Sequence, residues 1–322
     1  MQHRNLGSSS LRVSIVGLGC NNFGGRIDLE ATRKVVDKAI ETGITLFDTA
    51  DAYGEPKGGS EECLGAILST RRKQIVLASK CGLPMDESGT RQGASRRYIT
   101  QAIEASLKRL RTDWIDLYQI HRPDPKTPIE ETMRTLQDLI QQGKVRHIGC
   151  SNFSAAQLAE AQTCAKQASL TPFVSAQDQY SLLVRDIEGE LSPSIKKHGL
   201  GLLPYFPLAS GLLTGKYKRG APMPEGSRLA YSQRHINRFG HDANMQAVEQ
   251  LEAFVTQRGH TLLELAFGWL LSKPFVASVI AGATKPEQIE ANVAAAGWIP
   301  SAEECTEVER ITANLPKQPP PV

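Results

Sequence analysis

The sequence predicts an α/β protein built as one (β/α)8 TIM barrel, and three observations carry that prediction. Eight short apolar runs rich in Val, Ile and Leu recur along the chain, as in parallel strands buried on both faces. Between them the apolar period changes to that of helices with one buried stripe. The 322 residues hold eight such units, which suits a closed barrel of roughly 250 residues plus insertions better than an open doubly wound sheet. Strict β–α alternation itself implies a parallel sheet.

The elements follow in order. Residues 1–12 read as a hairpin turning around Leu6-Gly7-Ser8-Ser9-Ser10. Strands are expected at 13–18, 44–47, 75–78, 117–120, 145–148, 173–176, 200–204 and 276–281. Val35, Val36, Ala39 and Ile40 form one helical stripe. Ile99, Ile103, Leu107 and Leu110 form a second, and Ile129, Met133, Leu136 and Ile140 a third. Thr100 and Ser154 are expected helix starts, and Gly43 and Gly143 expected helix ends. Residues 212–244, rich in Gly, Pro and Arg, read as a long irregular insertion after the seventh strand, of the kind that serves as a lid. No boundary interrupts the pattern, so residues 1–322 are expected to form a single domain, with 316–322 an extended Pro-rich tail.

Composition excludes several classes of function. Hydrophobic residues are 40% and charged residues 22%, as in a folded chain. Lys plus Arg is 37 and Asp plus Glu 34, with no basic block, so neither nucleic acid nor an anionic membrane is an expected partner. No apolar run reaches the roughly 18 residues of a membrane helix. Cys20, Cys63, Cys81, Cys150, Cys164 and Cys305 show neither C-x-x-C nor zinc-finger spacing, which predicts reduced thiols, no metal site and a cytoplasmic location. Val16-Gly17-Leu18-Gly19-Cys20 has the outline of a lipoprotein cleavage site. The stretch before it is broken by Ser14 and Gly17 and abutted by Arg12, short of the uninterrupted apolar region of about 7–15 residues that a signal needs.

Barrels of this type carry their chemistry at the C-terminal ends of the strands. There the sequence places Asp48, with Tyr53 shortly after it, then Lys80, His121, Ser151, Asn152, Gln177, Tyr205, Thr284 and Lys285. A free phenol titrates at about 10 and a lysine at about 10.4. An adjacent ammonium favours the phenolate, so Lys80 is expected to lower the Tyr53 pKa, with Asp48 anchoring Lys80. Tyr53 then serves as general acid toward an oxygen becoming an alkoxide, and His121 orients that oxygen. No activated acyl nucleophile accompanies the set, and the reaction that complements it is hydride delivery from a nicotinamide.

Other motifs fail. Asn22 replaces the third glycine of G-x-G-x-x-G after Gly17 and Gly19, and residues 211–216 lack the spacing and hydroxyl of a P-loop. Residues 149–153 lack the last glycine of a nucleophile elbow. No carboxylate pair flanks a glycosidic site. His147 reads as structural, and His235 and His241, in the insertion, as solvated. Arg228 is a candidate contact for a pyrophosphate, against the plainer reading of a solvated arginine. The plainer alternatives are a core aromatic for Tyr205 and a solvated turn for Thr284 and Lys285, but a helix N-terminus there suits a phosphate, which supports the binding reading.

At these residues the sequence resembles the aldo-keto reductase superfamily. Residues 43–54 (G-I-T-L-F-D-T-A-D-A-Y-G) are similar to its G-x-x-x-[FL]-D-T-A-x-x-Y-G signature, and Lys80 and His121 complete its Asp, Tyr, Lys, His tetrad. Residues 143–153 (G-K-V-R-H-I-G-C-S-N-F) resemble a second motif, in which Ser151, Asn152 and Gln177 would hold the nicotinamide carboxamide. Tyr205 matches the tyrosine that stacks on the nicotinamide. Residues 208–217 resemble the pyrophosphate loop, which implicates Leu208, Ser210, Leu212, Gly215 and Lys216. Residues 282–292 match the region for the 2′-phosphate and adenine, which implicates Gly282, Thr284, Lys285, Gln288 and Asn292.

The resemblance covers residues 5–315. It implies a (β/α)8 barrel that binds NAD(P)(H) in extended form. Gln288 stands where well-known monomeric reductases carry an arginine and Gly282 where they carry a lysine, departures that favour NADH as the alternative; Lys285 supplies a compensating point charge, and NADPH is the expected cofactor. The short C-terminus is closer to bacterial, oligomer-forming branches that include potassium-channel β-subunit-like proteins, which implies a homo-oligomer. The expected activity is NAD(P)H-dependent reduction of a small aldehyde or ketone. Two rival readings are a cofactor-sensing regulatory subunit with slow turnover and an NAD(P)-dependent sugar (aldose) dehydrogenase. Phe23, Tyr53, Pro84, Arg122 and the insertion are expected to line the substrate pocket.

Overall fold

The computed structural model describes residues 1–316, so beyond Pro316 the expected Pro-rich tail lies outside the described residues. Ten strands occur among them: β1 (His3–Asn5), β2 (Arg12–Ser14), β3 (Val16–Gly19), β4 (Leu46–Asp48), β5 (Val76–Cys81), β6 (Ile115–Ile120), β7 (Val145–Ser151), β8 (Ser175–Gln177), β9 (Gly201–Leu202) and β10 (Val279–Gly282). The last eight form a parallel sheet in the order β10-β3-β4-β5-β6-β7-β8-β9. Its two ends meet. Leu202 N donates to Phe275 O at 2.7 Å, Ala277 N to Leu202 O at 2.9 Å, and Ile280 N to Pro204 O at 3.1 Å. These bonds close the (β/α)8 barrel and leave no long unpaired edge.

Period-two geometry then sorts the side chains. Leu46, Ala78, Leu117, Leu203, Ala277 and Ile280 form a small buried cluster within the ring. Two residues beyond Leu46, Ala78 and Leu117, on the same face, stand Asp48, Lys80 and Gln119, and His121 follows on the β6 path. The inward face is thus apolar low in the barrel and polar at its C-terminal rim. The expected N-terminal hairpin is present as antiparallel β1 and β2, with His3 opposite Ser14 and Asn5 opposite Arg12. Its Leu6 and Val13 join the inner cluster and plug the lower end.

The expected strand at 13–18 is two strands. Ser14 Oγ donates to Val16 O at 2.6 Å and accepts from Thr45 N at 2.9 Å, and the chain passes there from hairpin to barrel. The last expected strand also starts later. Val276 makes a single bridge to Leu202, and the ladder with β3 begins at Val279.

The helical stripes pack on the outer faces of the strands. Val35, Val36, Ala39, Ile99, Ile103, Leu107, Leu110, Met133 and Leu136 are buried there. Ser154 caps helix Ala155–Gln167 in a reciprocal pair with Gln157. Thr100 is not a helix start. Ser95 Oγ caps helix Arg96–Leu110, and Thr100 Oγ1 bonds Arg96 O at 2.8 Å inside it. Gly43 and Gly143 follow their helices at φ 83° and 73°, the left-handed position a helix end favours. The insertion is more ordered than its composition suggests: it contains helical segments Arg228–Tyr231 and Gln233–Phe239 and buries Tyr217, Leu229 and Phe239. No helix among the described residues is long and apolar enough to cross a membrane.

The loop after β4 depends on one glycine. Gly54 has φ 96°, and a Cβ there would meet Ser60 N at 2.6 Å. Gly54→Ala is therefore expected to cost about 2 kcal/mol, read as a lower urea midpoint. An unchanged midpoint would contradict the tight approach.

Candidate active site

Four side chains converge at the C-terminal rim. Asp48 ends β4, Lys80 lies near the end of β5, His121 follows β6, and Tyr53 sits on the loop after β4. Lys80 is fully buried, and its Nζ donates to Asp48 Oδ2 at 2.7 Å and to Thr49 O at 2.9 Å. Asp48 Oδ1 accepts from Gln177 Nε2 at 2.9 Å. Lys80 Nζ lies 5.0 Å from the Tyr53 ring centre, and the Tyr53 and His121 rings meet edge to face with centres 5.6 Å apart. Tyr53 itself keeps part of its surface open. Its loop is pinned from below. Ser60 Oγ donates to Cys20 O at 2.8 Å, Thr49 Oγ1 and Ser60 Oγ pair at 2.8 Å, and Asp51 N donates to Lys80 O at 3.0 Å.

The electrostatics of these groups oppose one another. Burial pulls the Lys80 ammonium down, but Asp48 and Tyr53 outweigh it and hold Lys80 above the ordinary lysine value. Burial pushes the Tyr53 phenol up, and Lys80 only partly pulls it back. Lys80 pulls the Tyr53 pKa down as expected, but desolvation of the phenolate outweighs it, so the net shift is upward and Tyr53 stays protonated. Burial, then Lys80 and Arg122, hold His121 well below the ordinary histidine value, so its ring is neutral. Its Nδ1 is buried without a hydrogen-bond partner among the described residues.

A row of amides adjoins the tetrad. Ser151 Oγ donates to Gln177 O at 2.8 Å. Asn152 Nδ2 donates to His121 O at 3.0 Å, and Asn152 Oδ1 accepts from Tyr205 OH at 2.7 Å. One asparagine, held at φ 61°, therefore ties the ends of β6, β7 and β9 together.

Asp48, Tyr53 and His121 line a cavity of about 820 Å³ that runs along this row to the N-terminus of helix Pro286–Ala295. Of the sequence-predicted residues, Ser151, Asn152, Gln177, Tyr205, Leu208, Ser210, Lys216, Gly282, Thr284, Lys285, Gln288 and Asn292 also line it. Lys80 lies beneath its floor. Leu212 is buried in the core and Gly215 occupies a left-handed turn at φ 77°, and neither lines the cavity. Gln288 Oε1 accepts from Thr284 N at 2.7 Å and Lys285 N at 3.3 Å, so it caps the helix and offers no cation. Arg122 lines the wall as expected. Phe23 does not, being fully buried in the core, and neither does Pro84, whose carbonyl accepts from Lys57 Nζ.

The insertion contributes more than its composition shows. Arg228 lines the cavity and donates to Asn22 Oδ1 at 3.2 Å, and Arg26 donates to Gly226 O at 3.1 Å. His235 is not solvated as expected. It bonds Ser210 Oγ at 2.8 Å, packs against Phe206, and is pushed down to about 4 by burial and by Arg228, Arg234 and Arg238. His241 is exposed. Asn22, Arg26 and Arg234 were not singled out from the sequence. No local signal marks them, because loops distant in sequence bring them together.

A donor set of this kind fits a dinucleotide: amides and an aromatic ring beside the tetrad, then Lys216, Arg228 and Lys285 toward a helix N-terminus. The fold and site define a barrel oxidoreductase. The aldo/keto reductase family matches residues 15–313, and the chain belongs to that family of NAD(P)H-dependent oxidoreductases. It is 36% identical over 330 residues to a protein of Arabidopsis thaliana named "Probable voltage-gated potassium channel subunit beta", covering 99% of each chain. It is 34% identical over 305 residues to "L-glyceraldehyde 3-phosphate reductase" of Escherichia coli (strain K12), covering 92% of this chain and 87% of that one.

The neutral His121 and protonated Tyr53 fix a pH profile. The Tyr53 proton is present below the raised phenol pKa and lost only as pH rises through it. The kcat for reduction is thus expected to lack an acid limb at the ordinary histidine value of about 6.5. A limb centred there would contradict a neutral His121.

Proposed function

We propose that the protein is an NADPH-dependent reductase of small aldehydes or ketones, with NADH as the poorer donor. The observation that carries this reading is a fully buried ammonium, Lys80, fixed by Asp48 beside a phenol that opens on a cavity suited to a dinucleotide. When bound, the reduced nicotinamide supplies hydride to the carbonyl carbon. Tyr53 gives its phenolic proton to the oxygen as negative charge develops there. Lys80 stabilises the phenolate left behind, and Asp48 keeps Lys80 charged and in place. His121, edge-on to Tyr53, orients the same oxygen from Nε2. Ser151, Asn152 and Gln177 would hold the carboxamide end, Tyr205 would border the ring, and Lys216, Arg228 and Lys285 would receive the phosphates. The preference for NADPH rests on Lys285 at the helix start, since Gln288 is engaged as a cap.

The relatives named as potassium-channel β subunits lend weak support to a second reading, a cofactor-sensing subunit with slow turnover. One experiment separates the two. NADPH and NADH oxidation with a panel of aldehydes is followed by the loss of reduced-nicotinamide absorbance. Tyr53→Phe is expected to lower kcat by at least about hundredfold while NADPH binding persists. Tight binding without turnover by the unmodified protein favours the sensing subunit, and binding of neither cofactor defeats both.

A further inference from the structure

A second cluster of ionisable groups is buried beside the loop that carries Tyr53, and none of its members lines the cavity. Asp51 stands two residues before Tyr53 and is 1% exposed, and Glu61, near the start of helix Gly59–Leu68, is fully buried. The cation beside them is Arg109, and it is committed to Glu61. Arg109 Nε donates to Glu61 Oε2 at 2.8 Å, and Nη2 lies 2.7 Å from the same oxygen. Ser79 Oγ donates to Glu61 Oε1 at 2.5 Å, so both oxygens of Glu61 have donors. Asp51 is less well served. Tyr98 OH donates to its Oδ2 at 3.2 Å, and its Oδ1 is buried without a hydrogen-bond partner among the described residues. An ionised carboxylate held this way leaves part of its charge unsolvated next to a second carboxylate, whereas the neutral acid fits.

The groups facing Asp51 come from each element packed on it: Glu61 from helix Gly59–Leu68, Tyr98 and Arg109 from helix Arg96–Leu110, Cys81 from β5 and Tyr118 from β6. Burial holds the thiol and both phenols above their ordinary values, so these three stay neutral. Burial and then Glu61 push Asp51 up to about 7, against the smaller pull of Tyr98, Arg109 and the Ala52 amide.

The two carboxylates also bracket the Tyr53 loop. Asp51 N donates to Lys80 O at 3.0 Å, and Tyr53 N donates to Ala50 O at 3.2 Å. Ser60 N, next to Glu61, donates to Tyr53 O at 3.1 Å. A negative charge arising on Asp51 repels Glu61 in a site withdrawn from water, and the strain is relieved by parting the two or by admitting solvent. Either movement reaches Tyr53 through these bonds, and a displacement of about 1 Å at a reacting group can lower a rate by about hundredfold.

We propose that Asp51 is a positioning residue and a pH-sensitive latch: while it carries a proton the loop holds Tyr53 beside Lys80, and its ionisation loosens the loop and lowers reduction. The proposal rests on the reductase reading and adds regulation to that same site.

The test follows kcat/KM for an aldehyde with NADPH against pH, in the unmodified protein and in Asp51→Asn, whose amide stands in for the neutral acid. The unmodified protein is expected to lose about tenfold from about pH 6 to about pH 8, a fall on the alkaline side, and Asp51→Asn less than about twofold. Urea midpoints give a second readout that needs no turnover. The fold favours the protonated acid, so the Asp51 contribution to stability falls as pH rises from the unfolded value of about 3.9 to about 7, and changes no further above it. The midpoint of the unmodified protein is therefore expected to drop over that range by more than that of Asp51→Asn. Rate profiles that fall equally in both proteins or in neither, equal midpoint shifts, or an Asp51→Asn protein that does not fold overturn this inference alone. No turnover of any aldehyde at any pH takes down the reductase reading and this inference together.

Discussion

The ion pair between Lys80 and Asp48 is the interaction on which the rest of the site depends. An ammonium withdrawn from water loses several kcal/mol of hydration, and it stays charged only where a partner and further acceptors replace the solvent. Asp48 Oδ2 and Thr49 O are those groups, and Gln177 takes the second carboxylate oxygen. Removing either partner leaves a buried charge alone, a change worth about 3–5 kcal/mol in comparable pairs. The stabilisation at stake is therefore of the same order as much of a domain's net stability. The same pair sets the electrostatics beside Tyr53, because a fixed positive charge 5.0 Å from its ring centre favours the phenolate.

The barrel supplies this pair through its geometry. Because side chains alternate, the strands that bury Leu46, Ala78 and Leu117 inside the ring also carry Asp48, Lys80 and His121 toward the rim. The hairpin plugs the other end with Leu6 and Val13, which leaves one mouth. Over that mouth the insertion is tied to the loop after β3 by Arg26 with Gly226 and Tyr231, and by Arg228 with Asn22. Each tie is a polar contact across two segments far apart in sequence. Ties of this kind break at lower cost than packed cores.

Much of this arrangement was legible in the sequence. Asp48, Lys80, His121 and Gln177 could be placed because strand ends are readable from apolar runs, and Tyr53 because it follows Asp48 at a fixed spacing. Element boundaries were less legible. Ser14 and Ser95 redirect the chain through the hydrogen bonds of their hydroxyls, and Thr100 resembles a helix start until Ser95 takes that role. Burial was illegible too. Without it the direction of the Tyr53 shift is wrong, since the cost of desolvation is invisible in the order of residues. Phe23 and His235 changed places for the same reason, the first going into the core and the second onto Ser210. Arg26 and Asn22 gain meaning only when the insertion returns across the cavity.

The central claim is that a buried ammonium supports proton donation to a carbonyl that accepts hydride from NADPH. It is tested most directly by following deuterium from NADPH doubly labelled at C4 into an aldehyde, in the unmodified protein and in Lys80→Met. One deuterium is expected on the former carbonyl carbon of the alcohol. Transfer is also expected to be slower by at least about hundredfold in Lys80→Met, with NADPH still bound. Absence of label from the product of the unmodified protein, or an unchanged rate without the ammonium, would contradict that claim.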